Sequence, residues 1–399
     1  MRRNPLTHPV YRRMFAAQVI ALLGTGLTTV ALTLLAYDLA GGNAGAVLGI
    51  ALALKMVTYV LVAPVVAGLT QHLPRRRLLV SLDLIRAATV VAMPLITEVW
   101  HVYVLIVVLN AASAGFTPTF QATIPDILPD EPTYTRALTQ SRLAYELENL
   151  ASPALAAALL AVMSYSGLFV ANGIAFLCSA ALVIASRIPA SPAQPENARS
   201  WAKITSGTRR YLATPRLRGL LALNFAAAAA SAMVIVNTVI YVREQFGRDD
   251  GGVAWALGAA GAGSMIAALA LPALLERTRD RTAMLAGGVM LAVGLALTAM
   301  VGSFAALLAV WFLLGVGMSL VQTPAGRLLQ RSADAKHRPA LFAAQFSLSH
   351  ACWLATYPLA GLLGAGLGLS AAAAILAGLT AGAVVAAAAV WPARRAIAA

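Results

Sequence analysis

The chain has 399 residues, 60% of them apolar and only 11% charged, with a mean hydropathy of +0.79. Soluble domains carry about 25% charged residues, and disorder needs low hydrophobicity, so both classes are excluded. The net charge of +14 would point to nucleic acid in a soluble protein. No basic stripe with interleaved aromatics lies outside the apolar runs, however, and no nucleic-acid partner is expected.

Twelve apolar runs follow one another, at 14–36, 45–69, 78–97, 102–121, 138–163, 167–187, 219–242, 251–275, 282–301, 304–326, 339–363 and 369–391. A run of about 20 apolar residues is the length of a bilayer-spanning helix. Helices suit the continuous runs because lipid offers no partner for open backbone groups; a membrane β-barrel would need short alternating segments. Span 1 is too long for the apolar core of a signal peptide and reads as a retained helix. Cys178 and Cys352 both lie in apolar stretches, which argues against a disulfide framework.

Arginine and lysine orient the spans. With the N-terminus inside, 25 of the 29 fall in inside segments, Arg243 and Arg248 fall outside, and Lys55 and Arg86 lie within spans. This bias predicts both termini in the cytoplasm. The longest polar stretch, 188–218, then becomes a cytoplasmic linker between two six-helix bundles, 1–187 and 219–399. An internal repeat supports this layout. The end of span 4 reads AGFTPTFQATIPDILPDEPTYTRAL and the end of span 10 reads SLVQTPAGRLLQRSADAKHRPAL. Thr117-Pro118 matches Thr323-Pro324, and Arg136 falls near the place of Arg338. The expected fold is therefore an all-α polytopic membrane protein of twelve helices in two bundles, the layout of a transporter built from related halves.

On this topology the sequence resembles the major facilitator superfamily. The loop between spans 2 and 3 reads GLTQHLPRRRLL: Gly68 and the basic cluster Arg75, Arg76 and Arg77 match the family's motif, and His72 stands where the family carries Asp. The resemblance implies that this loop helps hold the cytoplasmic gate. TPTFQATIPDILPDEPTYTRALTQSRLAYELENLASP and ALFAAQFSLSHACWLATYPLAG are similar to the exporters linked to nickel resistance, next to drug and siderophore exporters. The resemblance implies an inner-membrane secondary transporter, with a divalent metal such as nickel or cobalt as leading substrate and a drug or siderophore as the alternative.

Charges at mid-membrane are costly and mark functional candidates. Span 5 carries Glu146 and Glu148; Glu146 lies about nine residues into the span, roughly 13 Å deep. It can load and release a proton, or it can pair with Arg142 one turn earlier. The two glutamates, two apart, point to different sides of the helix. Lys55, mid-way along span 2, cannot easily snorkel to an interface and can pair with a span 5 carboxylate or answer an anionic substrate. Asp83 and Arg86, three apart in span 3, read as an internal ion pair bracing the neighbouring loop. His350 and Cys352 of span 11 are of the type that binds nickel, cobalt or zinc, but two apart on a helix they diverge, and a metal would need ligands from elsewhere. The polar residues of spans 1, 4, 7 and 10 (Gln18, Thr25, Thr28, Thr29, Asn110, Ser113, Asn224, Ser231, Asn237, Gln322 and Thr323) sit on the helices that line the central cavity in the resembled family.

No phosphate-binding loop of the G-x-x-x-x-G-K-[ST] kind occurs, nor a nucleophile elbow at a plausible site. No enzyme activity and no cofactor are expected. The small residues of GAAGAGS in span 8 allow close helix approach. The reading is a proton-coupled exporter working by alternating access, with small solute, protons and the lipid bilayer as its partners. Its rival is a non-transporting membrane sensor or assembly factor.

Overall fold

A computed structural model describes residues 4–40, 44–70, 73–188 and 204–391. His72, residues 189–203 of the expected linker, and Arg2, Arg3, Arg199, Lys203, Arg394 and Arg395 lie outside the described residues. Among those described, regular structure is entirely helical. The long helices are α1 (Pro9–Ala40), α2 (Ala44–Leu69), α3 (Arg75–Ala92), α4 (Val99–Ile127), α5 (Glu131–Leu160), α6 (Tyr165–Ala185), α7 (Pro215–Ile240), α8 (Asp250–Arg277), α9 (Asp280–Thr298), α10 (Phe304–Gln322), α11 (Arg338–Leu367) and α12 (Leu369–Val390). They correspond one for one to the twelve apolar runs.

Local chemistry sets their ends. Asp130 caps α5 by accepting from the Thr133 amide, 3.1 Å, and hydroxyl, 2.6 Å. These bonds hold the exposed Asp130 carboxyl below the ordinary carboxylate range. Asp249 and Ser303 cap α8 and α10 in the same way. Between α11 and α12 the backbone turns through Gly368 at φ +85°, a left-handed conformation open to glycine. The stretch expected as a plain linker contains a further short helix, Ser206–Ala213. Its eight residues are too polar for a hydropathy signal; two arginines and a threonine separate its apolar positions. Downstream of Pro118, α4 runs on to Ile127, whereas the matching Pro324 separates α10 from a six-residue helix, Ala325–Gln330.

Among the described residues, ten helices are apolar and long enough to cross a membrane by length and composition alone. The other two are α5 and α11, each of 30 residues and about 45 Å long at 1.5 Å per residue. Length is not their shortfall, since the apolar core of a bilayer is about 30 Å thick. α5 carries Arg136, Arg142, Glu146 and Glu148, and α11 carries Gln345, Ser347, Ser349 and His350.

Two compact units emerge. The first comprises Met1–Ala137, Ala144–Arg209 and Ala333–Ser347; the second comprises Leu138–Leu143, Arg210–Ser332 and Leu348–Ala399. Short stretches of α5 and α11 thus count with the unit built mainly from the other half of the sequence, where the expected division was a single cut at the linker. In the first unit α1 packs on α6, α2 on α4, and α3 on both α4 and α6. In the second, α7 packs on α12, α8 on α10, and α9 on both α10 and α12. Adding six to each helix number of the first unit yields the second. Its core includes Trp311, fully buried, whose indole N–H donates to Thr238 at 2.7 Å.

Candidate functional site in the membrane interior

In the first unit, polar side chains of α1, α2, α3 and α5, some buried and some half-buried, form one group. Tyr145 hydrogen-bonds Gln18, which is 8% exposed. Glu148 and Lys55 lie within electrostatic reach of each other, and Lys55 Nζ sits 5.8 Å from the centre of the Tyr59 ring. Glu148 lines up beside Ser152 against Gly26 of α1. Arg86 faces Tyr59 and Tyr145 electrostatically and forms an ion pair with fully buried Asp83. Ser179 donates to the second oxygen of Asp83 at 2.8 Å. The Arg86 guanidinium also stacks over Phe116 at 3.9 Å and Phe176 at 4.5 Å, a good match for a planar, weakly hydrated cation. Glu146, 9% exposed, is buried on another side of α5, with Leu147 exposed between it and Glu148.

Two other candidates of the first unit turn to their own helices, and a third bonds a neighbouring one. Asn110 donates to the Ile106 carbonyl at 2.7 Å, and Thr25 donates to the Ala21 carbonyl at 2.9 Å. Thr28 of α1 accepts from Asn172 of α6, a helix-to-helix bond.

In the second unit, Arg142 donates from Nε and Nη2 to the Ser264 hydroxyl, 3.0 and 2.9 Å, and from Nη1 to Gln322 Oε1, 2.7 Å. Asn237, fully buried on α7, donates to the Ala360 carbonyl of α11 at 3.4 Å. His350 packs edge-on against Trp353, ring centres 5.0 Å apart. Cys352 is 8% exposed. Asn224 is 7% exposed and its amide nitrogen has no partner. Among the described residues no group of three or more His, Cys, Asp or Glu is placed to hold a metal ion.

The basic cluster divides by its contacts. Arg75 is buried, pairs with Asp126 at the end of α4 and donates to the Ala122 carbonyl at 3.3 Å. Asp126 also pairs with Arg338 at the start of α11. Arg76 donates to the Ile184 carbonyl, and Arg77 is exposed. Gly68 is apposed to Ile204, so closely that a Cβ there would stand 2.9 Å from the Ile204 backbone. The second unit has a counterpart: Asp280, at the start of α9, pairs with Arg331 and Arg327 beyond α10. α3 and α9 correspond, as do α4 and α10, so the same linkage recurs with its charges exchanged. Sequence reasoning singled out Arg75, Arg76 and Arg77 and missed Asp126 and Asp280; Arg75 lies 51 positions from Asp126, and Arg331 lies 51 from Asp280.

A family profile described as "Transmembrane secretion effector" (MFS_3) matches residues 2–333. The chain belongs to this family of the major facilitator superfamily. MFS_3 proteins are multi-pass membrane transporters, not enzymes. Macrolide efflux protein A of Streptococcus pyogenes is 24% identical over 181 residues, 44% of each chain. An uncharacterized MFS-type transporter of Bacillus subtilis, YfiS, is 27% identical over 175 residues, 43% of this chain and 40% of its own. The chain thus spans under half the length of the curated relatives it matches. In fold it is similar to the human organic anion transporter MFSD10, with a TM-score of 0.82 at 13% identity over 96% of this chain and all of that one. A bacterial homologue of the iron transporter ferroportin gives 0.76 at 16% identity, over 96% and 98%.

Proposed function

We propose that this MFS_3 chain exports an amphipathic organic compound across the bacterial inner membrane by alternating access, driven by proton entry through the carboxylates of α5. The observation that carries the reading is the interior group of Lys55, Glu148, Tyr145 and Gln18. An acid and a base that lie within reach of each other in a membrane-spanning unit are expensive to keep, and motion of α5 against α2 alters the field on the carboxyl. Glu148 is the coupling group in this reading, in place of Glu146, because it faces the cation of α2. Efflux of an organic compound is supported by the macrolide efflux relatives, and transport is favoured over sensing by the family. The nickel or cobalt reading would need His350, Cys352 and a third ligand, and no such group of residues is assembled in the described part of the chain.

The test uses everted vesicles and a sensitive strain exposed to macrolides, other drugs, nickel and cobalt. Glu148→Gln keeps size and hydrogen bonding but cannot titrate. It should abolish export driven by a pH gradient and flatten the pH dependence of exchange while leaving substrate binding intact. Should Glu146→Gln do this instead, the role moves two residues back, to another side of α5; should both stay coupled, carboxylate coupling is wrong. Resistance to nickel or cobalt alone would restore the metal reading.

A further inference from the structure

α7 and α11 of the second unit run side by side in a register that the contacts define. The Tyr357 hydroxyl is hydrogen-bonded to Ser231, 126 positions earlier. Gly361 faces Val236, 125 positions earlier, and Gly364 and Ala360 face Asn237. Residue numbers rise together along both helices, so the two are parallel. Two turns back along this register, Asn224 of α7 comes level with His350 of α11, again 126 apart. The first unit repeats the arrangement: Gln18 of α1 bonds Tyr145 of α5, 127 positions later, and Gly26 abuts Ser152, 126 later. The shift of 206 positions that relates Thr117-Pro118 to Thr323-Pro324 carries Gln18 onto Asn224.

The two seams differ in one respect. The Gln18 side has its tyrosine. On the second, the amide nitrogen of Asn224 and the indole nitrogen of Trp353 are both buried donors without a partner. A buried donor left unmade is costly, and here two fall within one helical turn of the same level. His350, Trp353 and Tyr357 share a face of α11 at spacings of three and four, and two of their rings are in contact. Opposite them α7 carries only alanine from Ala226 to Ala230, between Asn224 and Ser231. α7 and α11 carry no carboxylate. The seam therefore offers two N–H donors, aromatic faces and little bulk, with no negative charge to attract a cation.

We propose that the α7–α11 seam is a substrate subsite for a neutral, polyoxygenated ring, such as the sugar or lactone portion of an organic solute. Asn224 and Trp353 donate to its oxygens, and His350 and Tyr357 pack against its faces. The assignment rests on the reading of the chain as an exporter of organic compounds and adds which part of the substrate the second unit holds.

Equilibrium binding to the purified full chain in lipid nanodiscs tests it, with erythromycin as the oxygen-rich probe and tetraphenylphosphonium as a cation without hydrogen-bond acceptors. Trp353→Phe keeps a ring and removes the N–H; Asn224→Ala removes the amide. Each should weaken erythromycin binding about tenfold, the worth of one good hydrogen bond, and leave tetraphenylphosphonium unchanged. Equal erythromycin affinity in wild type and both variants overturns the subsite, as does a parallel loss for both probes. Wild-type protein that binds and exports tetraphenylphosphonium but not erythromycin also overturns it, while leaving organic export standing. If neither probe binds or is exported, the export reading fails and the subsite with it.

Discussion

Asp83 has no exposed surface and lies inside an apolar span, so its charge is tolerable only because every side of it is answered. Arg86 supplies the counter-charge from the next turn, Ser179 supplies a hydrogen bond, and Phe116 and Phe176 sandwich the guanidinium. The i, i+3 spacing makes the pair legible in sequence. Its three other partners are not, since they sit 30 to 96 positions away on α4 and α6. Removing one partner of such a pair leaves an uncompensated buried charge and costs about 3–5 kcal/mol. Asp83→Leu alone should thus lower the thermal midpoint of the detergent-solubilised protein sharply. Asp83→Leu with Arg86→Met removes both charges and should recover most of the loss. A double variant no more stable than the single one would show that Ser179 and the aromatic stack, rather than the charge balance, hold α3 in place.

Helix-to-helix distance is set at the element scale by where side chains are missing. α8 and α10 approach through Gly263 and Gly315: a Cβ on Gly315 would fall on the carbonyl of Ala260, and one on Gly263 on the carbonyl of Phe312. The GAAGAGS stretch announces close packing in the sequence, but not which glycine is needed, because Gly258 of the same helix meets nothing within 4 Å. Gly315→Ala should destabilise by about 1–3 kcal/mol through overpacking against backbone. Gly258→Ala should be neutral or stabilise by a few tenths, as glycine replacement in an open helical site does. Parallel thermal unfolding of the two variants checks this; equal midpoints would mean that α8 and α10 can part at no cost. The same scale explains what hydropathy reads well and poorly. All twelve helices are visible as apolar runs, α5 and α11 included, because stretches of apolar residues flank the charges of the one and the polar side chains of the other. The helix Ser206–Ala213 is invisible for the opposite reason: its eight residues fall short of the roughly 11–18 that a helical periodicity needs.

Across the whole molecule, the repeat seen in two short motifs extends to the order of packing. Six helices and their neighbours recur with the same partners, and the parallel seams α1–α5 and α7–α11 share an offset of 125 to 127 positions. Sequence carries little of this, since the matching positions hold different residues: Gln18 against Asn224, Thr25 against Ser231. Backbone geometry outlasts side-chain identity, because packing tolerates any residue of fitting size. Charge adds a constraint that packing does not. Arg75, Asp126 and Arg338 gather at helix ends of the first unit, and Asp280, Arg327 and Arg331 at helix ends of the second. The basic bias predicts that the charged ends face the cytoplasm. A phosphatase reporter, active only outside, should therefore be inactive after Ala399 and active when inserted near Asp249, between α7 and α8. A fluorescent protein that matures only in the cytoplasm should give the reverse. Arg243 and Arg248 are the only basic residues expected outside, so Asp249 is the position where an inverted chain would be exposed most plainly. A cytoplasmic signal at Asp249 with an external one after Ala399 would invert the whole array, and export as proposed would become uptake. The same signal at both positions would instead mean an even number of crossings between them, in place of the five from α8 to α12, and the twelve-helix count itself would fall.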